Sequence, residues 1–120
     1  MDKIRLGLQF CDGIEAANAG NEPLDDARAY RYGKEFGLVM TAGSDNHWSP
    51  YSPVYGVELD EKLDTIDDYV RTILDRKPIR LHVPGNRFAA GPAGVPDERH
   101  RAWMLDDREQ DIPAGREWMD

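Results

Sequence analysis

The sequence predicts an α/β fold, because short apolar runs alternate with two segments that have helical apolar spacing. The first helix is predicted over residues 23–36, with a proline in its first turn and Gly37 as its left-handed end. The second follows Thr65, which forms a capping-box pattern with Asp68, and it ends near Arg76.

Short strands are predicted around the helices from continuous or alternating apolar residues. The predicted strands are residues 14–17, 38–42, 54–59 and 79–83. Residues 4–8 form either a further short strand or the end of another element. The residues after 17 form a loop at the carboxyl end of a strand, which is where parallel sheets gather ligand-binding residues.

Composition limits the classes of function that the chain can have. The 120 residues suffice for one domain at most, and 32% of them are charged, with a net charge of -8. This acidity argues against binding to nucleic acid or to an anionic membrane surface, but not against a phosphorylated substrate neutralised by metal ions. The single cysteine, Cys11, excludes an internal disulfide and fits a reducing compartment. With no signal-peptide pattern and no apolar run near the ~20 residues that span a bilayer, we expect a cytoplasmic protein.

The chemistry of the chain is expected in the stretch Val39–Trp48, where an apolar run ends at Gly43 and is followed by Asp45 and His47. In an extended loop, residues two apart point the same way, so both side chains can face one point. A carboxylate and an imidazole converging there suit a divalent cation such as Zn, Mn or Fe. The alternative is a surface loop in which the aspartate caps a turn and the histidine is solvated.

Two stretches in order resemble a known family. Met40–His47 resembles the last metal-binding motif of the PHP (polymerase and histidinol phosphatase) domain, a "TAGSDAH"-like strand end. Cys11–Asn18 is similar to that family's "DGIEVYN" strand. The resemblance implies a distorted, TIM-like β/α barrel that holds up to three divalent metals and hydrolyses phosphate esters. It covers roughly residues 4–83, so residues 1–84 are predicted to be the C-terminal part of such a barrel.

The motif match implies roles for four residues. Asp45 and His47 match metal ligands, Glu15 is a further candidate ligand, and Asn18 is a candidate substrate-binding residue. For Glu15 and Asn18 the alternative is a strand-end turn held by asparagine hydrogen bonds. Ala17 departs from the tyrosine that is more usual in the pattern. The family's N-terminal His-x-His motif has no match, because no histidine precedes His47. Catalytic residues therefore stay unassigned, and whether this chain alone is an enzyme stays open.

Because the chain has few of the family's metal ligands, two functions are predicted. The first is the C-terminal portion of a PHP-type phosphoesterase, incomplete alone, that acts on a phosphorylated small molecule. The second is a non-catalytic half-domain for binding or assembly, in which the Asp45/His47 loop is structural or holds one weakly bound metal. A part-barrel exposes strand edges and apolar faces, so we also expect self-association or pairing with a missing N-terminal half.

Two further segments are predicted to be irregular. Residues 48–55 form a loop that either lines the site with aromatics or is anchored by its own aromatics. Residues 85–120 are a polar, Gly/Pro-rich extension with one short helix over 99–109, in which Trp103 and Met104 dock on the body and His100 is solvated.

Overall fold

The computed structural model describes residues 4–6, 11–47, 50, 54–90, 102–105 and 111–113. The chain divides into two compact units, one of residues 12–90 and one of residues 1–11 with 91–120. This division after residue 90 differs from the predicted boundary after residue 84. The predicted α/β class is confirmed, since helices and short strands alternate along the larger unit.

The larger unit begins with a strand, a helix and a second strand: β2 (Gly13–Asn18), α1 (Pro23–Glu35) and β3 (Val39–Gly43). The two strands pair in parallel, with Ile14 opposite Met40, and an irregularity interrupts the register between Glu15 and Ala17. One face of the pair packs on α1. The buried apolar residues of these three elements are Ala16, Ala17, Ala27, Tyr32 and Val39.

The ends of α1 follow the sequence signals. Glu22 occupies the N-cap position without a side-chain hydrogen bond, and Pro23 lies in the first turn. The chain leaves the helix through Gly37, whose φ of +62° is the left-handed conformation that glycine adopts without steric cost. The predicted helix and its glycine end are both confirmed.

The rest of the larger unit is β4 (Gly56–Leu59), α2 (Ile66–Leu74) and β5 (Ile79–His82). β4 and β5 pair antiparallel, with Val57 opposite Leu81. The predicted capping box is present: Thr65 Oγ1 accepts a hydrogen bond from the Asp68 N–H at 3.2 Å, and Asp68 Oδ2 accepts one from the Thr65 N–H at 3.1 Å. The two strands and α2 therefore confirm the predictions for this region in type and order.

The capping box of Thr65 and Asp68 is expected to stabilise the protein. Thr65→Ala removes the hydroxyl acceptor, and we expect the free energy of unfolding to fall by about 1 kcal/mol in urea denaturation. Thr65→Ser keeps the acceptor and should match the parent protein, so equal losses in both variants would contradict the assignment. Backbone N–H groups of residues 64 and 65 lower the pKa of Asp68. Its stabilisation is therefore complete above the unfolded-state pKa and is lost as the pH falls through the lower folded-state pKa.

The smaller unit contains β1 (Ile4–Leu6), β6 (Ala102–Leu105) and β7 (Asp111–Pro113). β1 pairs in parallel with β6, which pairs antiparallel with β7. The strand at residues 4–6 confirms the first alternative for that segment. The short helix predicted over residues 99–109 is wrong at residues 102–105, because a four-residue apolar run has no period that separates helix from strand, and long-range pairing decides. The described part of the chain does not include the rest of that segment, which contains His100. It also does not include the side chains of Trp103 and Met104.

The strands that the structure describes do not close into a barrel. Its strands form one parallel pair, one antiparallel pair and one three-stranded sheet. Among the same residues, no helix is long and apolar enough to cross a membrane.

Candidate metal site at the ends of β2 and β3

Polar side chains gather where β2 and β3 end. Asn18 is the last residue of β2 and lies opposite Gly43, and the Ala19 N–H donates to the Gly43 carbonyl at 3.0 Å. A Cβ atom built on Gly20 would lie 3.1 Å from both Asn18 Oδ1 and Asp45 Oδ2. Two oxygen atoms from neighbouring strand ends thus converge on the space beside Gly20.

Glu15 reaches the same edge from within β2. Its Oε2 accepts a hydrogen bond from Asn18 Nδ2 at 3.1 Å, and its Oε1 would lie 2.9 Å from a Cβ built on Gly43. Asn18 Oδ1 in turn accepts the Gly20 N–H at 2.8 Å. Asn18 therefore makes the side-chain hydrogen bonds of a strand-end turn, which was the alternative prediction for this residue. It also connects Glu15 to the loop that contains Gly20.

Asp45 does not lie in the extended loop that the sequence led us to expect. Its φ of 49° is left-handed, a conformation that aspartate tolerates better than most residues. The premise that extended geometry aligns Asp45 with His47 is therefore wrong. The two residues meet instead because His47 folds back: its Nδ1 lies 2.8 Å from the Asp45 carbonyl oxygen and 3.4 Å from Asp45 Oδ1.

This contact determines how His47 can act. A carbonyl oxygen only accepts hydrogen bonds, so Nδ1 must carry the proton. Nε2 is then the nitrogen with a lone pair in the neutral ring, which is the arrangement that second-shell carbonyls give to metal-binding histidines. The side chains of His47 and Asp45 are 63% and 44% exposed, so a cation from solution can reach both.

The donor types fit a divalent cation, but the number of donors does not. Carboxylate, amide oxygen and imidazole all ligate Zn, Mn or Fe. Across residues 11–47 and 54–90 and the short described strands, however, no group of three or more His, Cys, Asp and Glu side chains is placed to hold a metal ion. Glu15 is joined to Asn18 and is not grouped with Asp45 and His47. These residues form a partial site, and no catalytic step follows from them alone.

Ser44 fixes the start of the loop after β3. Its Oγ accepts the Tyr55 N–H at 2.9 Å and donates to the Tyr55 carbonyl at 3.2 Å. The hydroxyl thus ties the end of β3 to the residue before β4, across eleven positions of sequence. The intervening loop that was predicted over residues 48–55 lies mostly outside the described residues.

A buried ion pair that was not predicted from the sequence lies at the loop between β2 and α1. Asp26 and Arg87 have side chains that are 1% and 11% exposed, and Arg87 Nε lies 2.7 Å from Asp26 Oδ2. Arg87 Nη2 also donates to the carbonyls of Asn18 and Asn21, at 3.0 and 2.7 Å. Asp26 accepts the Asn18 N–H at 3.0 Å. The pair therefore holds both ends of the loop between β2 and α1.

No protein-family model matches the chain, and neither the curated proteins nor the solved structures contain a match to it. The two sequence motifs and the geometry of the strand ends are therefore the basis for a functional proposal.

The ion pair was missed for identifiable reasons. Asp26 lies in the first turn of α1, where an aspartate is ordinarily explained by the helix dipole. Arg87 was placed in the polar extension, although Phe88 beside it stacks on Tyr30 with ring centroids 4.2 Å apart. An arginine next to a phenylalanine, soon after β5, was the one signal that this segment packs on the rest of its unit.

Proposed function

We propose that this chain forms the C-terminal part of a PHP-type metal-dependent phosphoesterase and contributes Asp45 and His47 to its metal centre. One observation supports the proposal: at the carboxyl ends of parallel β2 and β3, Asp45 Oδ2 and Asn18 Oδ1 both lie beside Gly20, and His47 Nδ1 contacts the Asp45 carbonyl oxygen. This is the edge at which α/β sheets place ligands. The residues are those that the two motifs name.

On this proposal the chain supplies part of the ligand set. His47 would bind a cation through Nε2 and Asp45 through its carboxylate, while Asn18 keeps Glu15 beside the same edge. A metal bound there would activate water and clamp a phosphate ester. The remaining ligands come from groups other than these, so hydrolysis belongs to the completed barrel, of which β2 and β3 form one part.

The test is a metal titration with a matched control. We expect the chain to bind Zn²⁺ or Mn²⁺ in equilibrium dialysis followed by elemental analysis. Asp45→Ala/His47→Ala should weaken that binding by at least about tenfold, because both proposed ligands are gone. The control is Glu58→Ala/His82→Ala, which removes another exposed carboxylate–imidazole pair, with His82 Nδ1 3.1 Å from Glu58 Oε1, but one outside the motif. Equal weakening in both double variants, or no binding by the parent protein, would count against the metal centre.

The alternative is a non-catalytic half-domain for binding or assembly. The shortage of donors among the described residues favours it, as does an exposed aliphatic row on α2. Hydrolysis of p-nitrophenyl phosphate and metal binding together distinguish the two functions. Turnover that is lost in Asp45→Ala/His47→Ala supports the phosphoesterase, whereas a chain without turnover whose metal binding does not depend on Asp45 and His47 supports the half-domain.

A further inference from the structure

Helix α2 exposes three of its four aliphatic side chains. Ile66, Val70 and Leu74 are 73%, 46% and 55% exposed, while Thr72 is 5% exposed. The three aliphatic residues are spaced four apart, so they form one row along the helix. We call Ile66, Val70 and Leu74 the α2 ridge. An amphipathic helix that buries a threonine and exposes three aliphatic residues has an apolar surface without a partner in the described structure.

A groove runs beside the α2 ridge. It has a volume of about 340 Å³ and lies between α2 and the start of β2. Its apolar lining comes from Val70, Ile73 and Leu74 on one side and from Gly13 and Ile14 on the other. Because the ridge and the groove share Val70 and Leu74, a two-fold axis near Val70 can place the ridge of one copy into the groove of another. Such self-complementarity is what an isologous interface requires.

The charges of α2 select the direction of that pairing. Asp67 and Asp68 lie in the first turn and Arg71 lies in the last turn. At 100° per residue, Asp67 and Arg71 lie on the same flank of the ridge. In an antiparallel pair, the acidic first turn of each copy therefore lies beside the basic last turn of the other. A parallel two-fold pair would place these charges on opposite flanks of the interface, where they do not face each other.

We propose that a second copy of this chain covers the α2 ridge, in an antiparallel, two-fold pair centred on Val70. Ile66 of each protomer packs beside Leu74 of the other, and Asp67 of each faces Arg71 of the other. Asp12, Glu15 and Thr41 also line the groove, but the pairing uses neither Asp45 nor His47, so dimerisation and metal binding are tested separately.

The first experiment measures self-association by sedimentation equilibrium over a wide range of concentration. We expect a reversible dimer in the parent protein. Val70→Asp places two like charges at the two-fold axis and should raise the dimer dissociation constant by at least about tenfold. The control is Val54→Asp, which changes a valine that is 76% exposed and lies outside the ridge and the groove lining. A monomer at all concentrations, or equal weakening by Val54→Asp, overturns the proposal.

The second experiment tests the antiparallel charge pairing. Asp67→Arg alone and Arg71→Glu alone should each dimerise less than the parent protein, because each places like charges across the interface. When mixed, the two variants should form a heterodimer, in which every facing pair is again of opposite sign. Circular dichroism of each variant checks that α2 is folded. A mixture that associates no better than its separate components overturns the proposed orientation.

Discussion

Arg87→Ala is expected to lower the free energy of unfolding by about 3–5 kcal/mol, the cost of removing one partner of a buried ion pair. Asp26 is 1% exposed, so its carboxylate would stay out of water without its counter-ion. The carbonyls of Asn18 and Asn21 would also lose their guanidinium donor. Since small domains are stable by about 5–15 kcal/mol, this loss is a large part of the total and is measurable by urea denaturation.

Two further variants separate charge from geometry. Arg87→Lys keeps the positive charge but loses the planar guanidinium, which reaches Asp26 and two carbonyls at once, so an intermediate loss is expected. Replacing both partners, in Asp26→Leu/Arg87→Met, leaves no unpaired buried charge and should cost less than Arg87→Ala alone. If the double variant is as unstable as the sum of the single variants, the two side chains are not coupled.

An exposed ion pair provides the control. Arg80 Nη1 lies 2.6 Å from Asp60 Oδ1, and their side chains are 55% and 62% exposed. Arg80→Ala should leave the free energy of unfolding nearly unchanged, because surface pairs gain little over solvation. A loss as large as that of Arg87→Ala would show that burial is not what makes the Asp26–Arg87 contact strong.

The order of helices and strands in residues 12–83 could be predicted because its signals are local. Pro23 and Gly37 define the ends of α1, and the capping box of Thr65 and Asp68 defines the start of α2. Each signal acts within a few residues of the place where it is read. The pairing of β2 with β3 then follows from the helix between them.

What could not be predicted depends on contacts between distant parts of the chain. The Asp26–Arg87 pair joins residues 61 positions apart, and no local signal marks Asp26 as buried. The strand at residues 102–105 depends on pairing with residues 4–6, which a short apolar run does not reveal. The left-handed backbone conformation of Asp45 is local, but the motif does not predict it either. The geometry that brings Asp45 and Asn18 together beside Gly20 was therefore not foreseen.

Gly13→Ala is expected to destabilise the protein by about 1–3 kcal/mol, as overpacking a closely packed position does. A Cβ atom at Gly13 would lie 2.6 Å from the carbonyl oxygen of Val39, its partner in the parallel pair of β2 and β3. Because that oxygen belongs to the backbone, it can retreat only if the strands separate. The measurement is urea denaturation together with hydrogen exchange of the β2 and β3 amides, in which exchange should quicken.

Gly56→Ala is the matched comparison, because Gly56 also opens a strand, β4, and a Cβ there would meet nothing within 4 Å. It should leave the free energy of unfolding unchanged or raise it slightly, since alanine restricts the unfolded chain. Equal effects of the two variants would mean that close approach at Gly13 does not constrain the pair. If Gly13→Ala is the more destabilising variant, the close approach of Gly13 to Val39 constrains the register of β2 and β3. The same register places Asn18 opposite Gly43 at the candidate site.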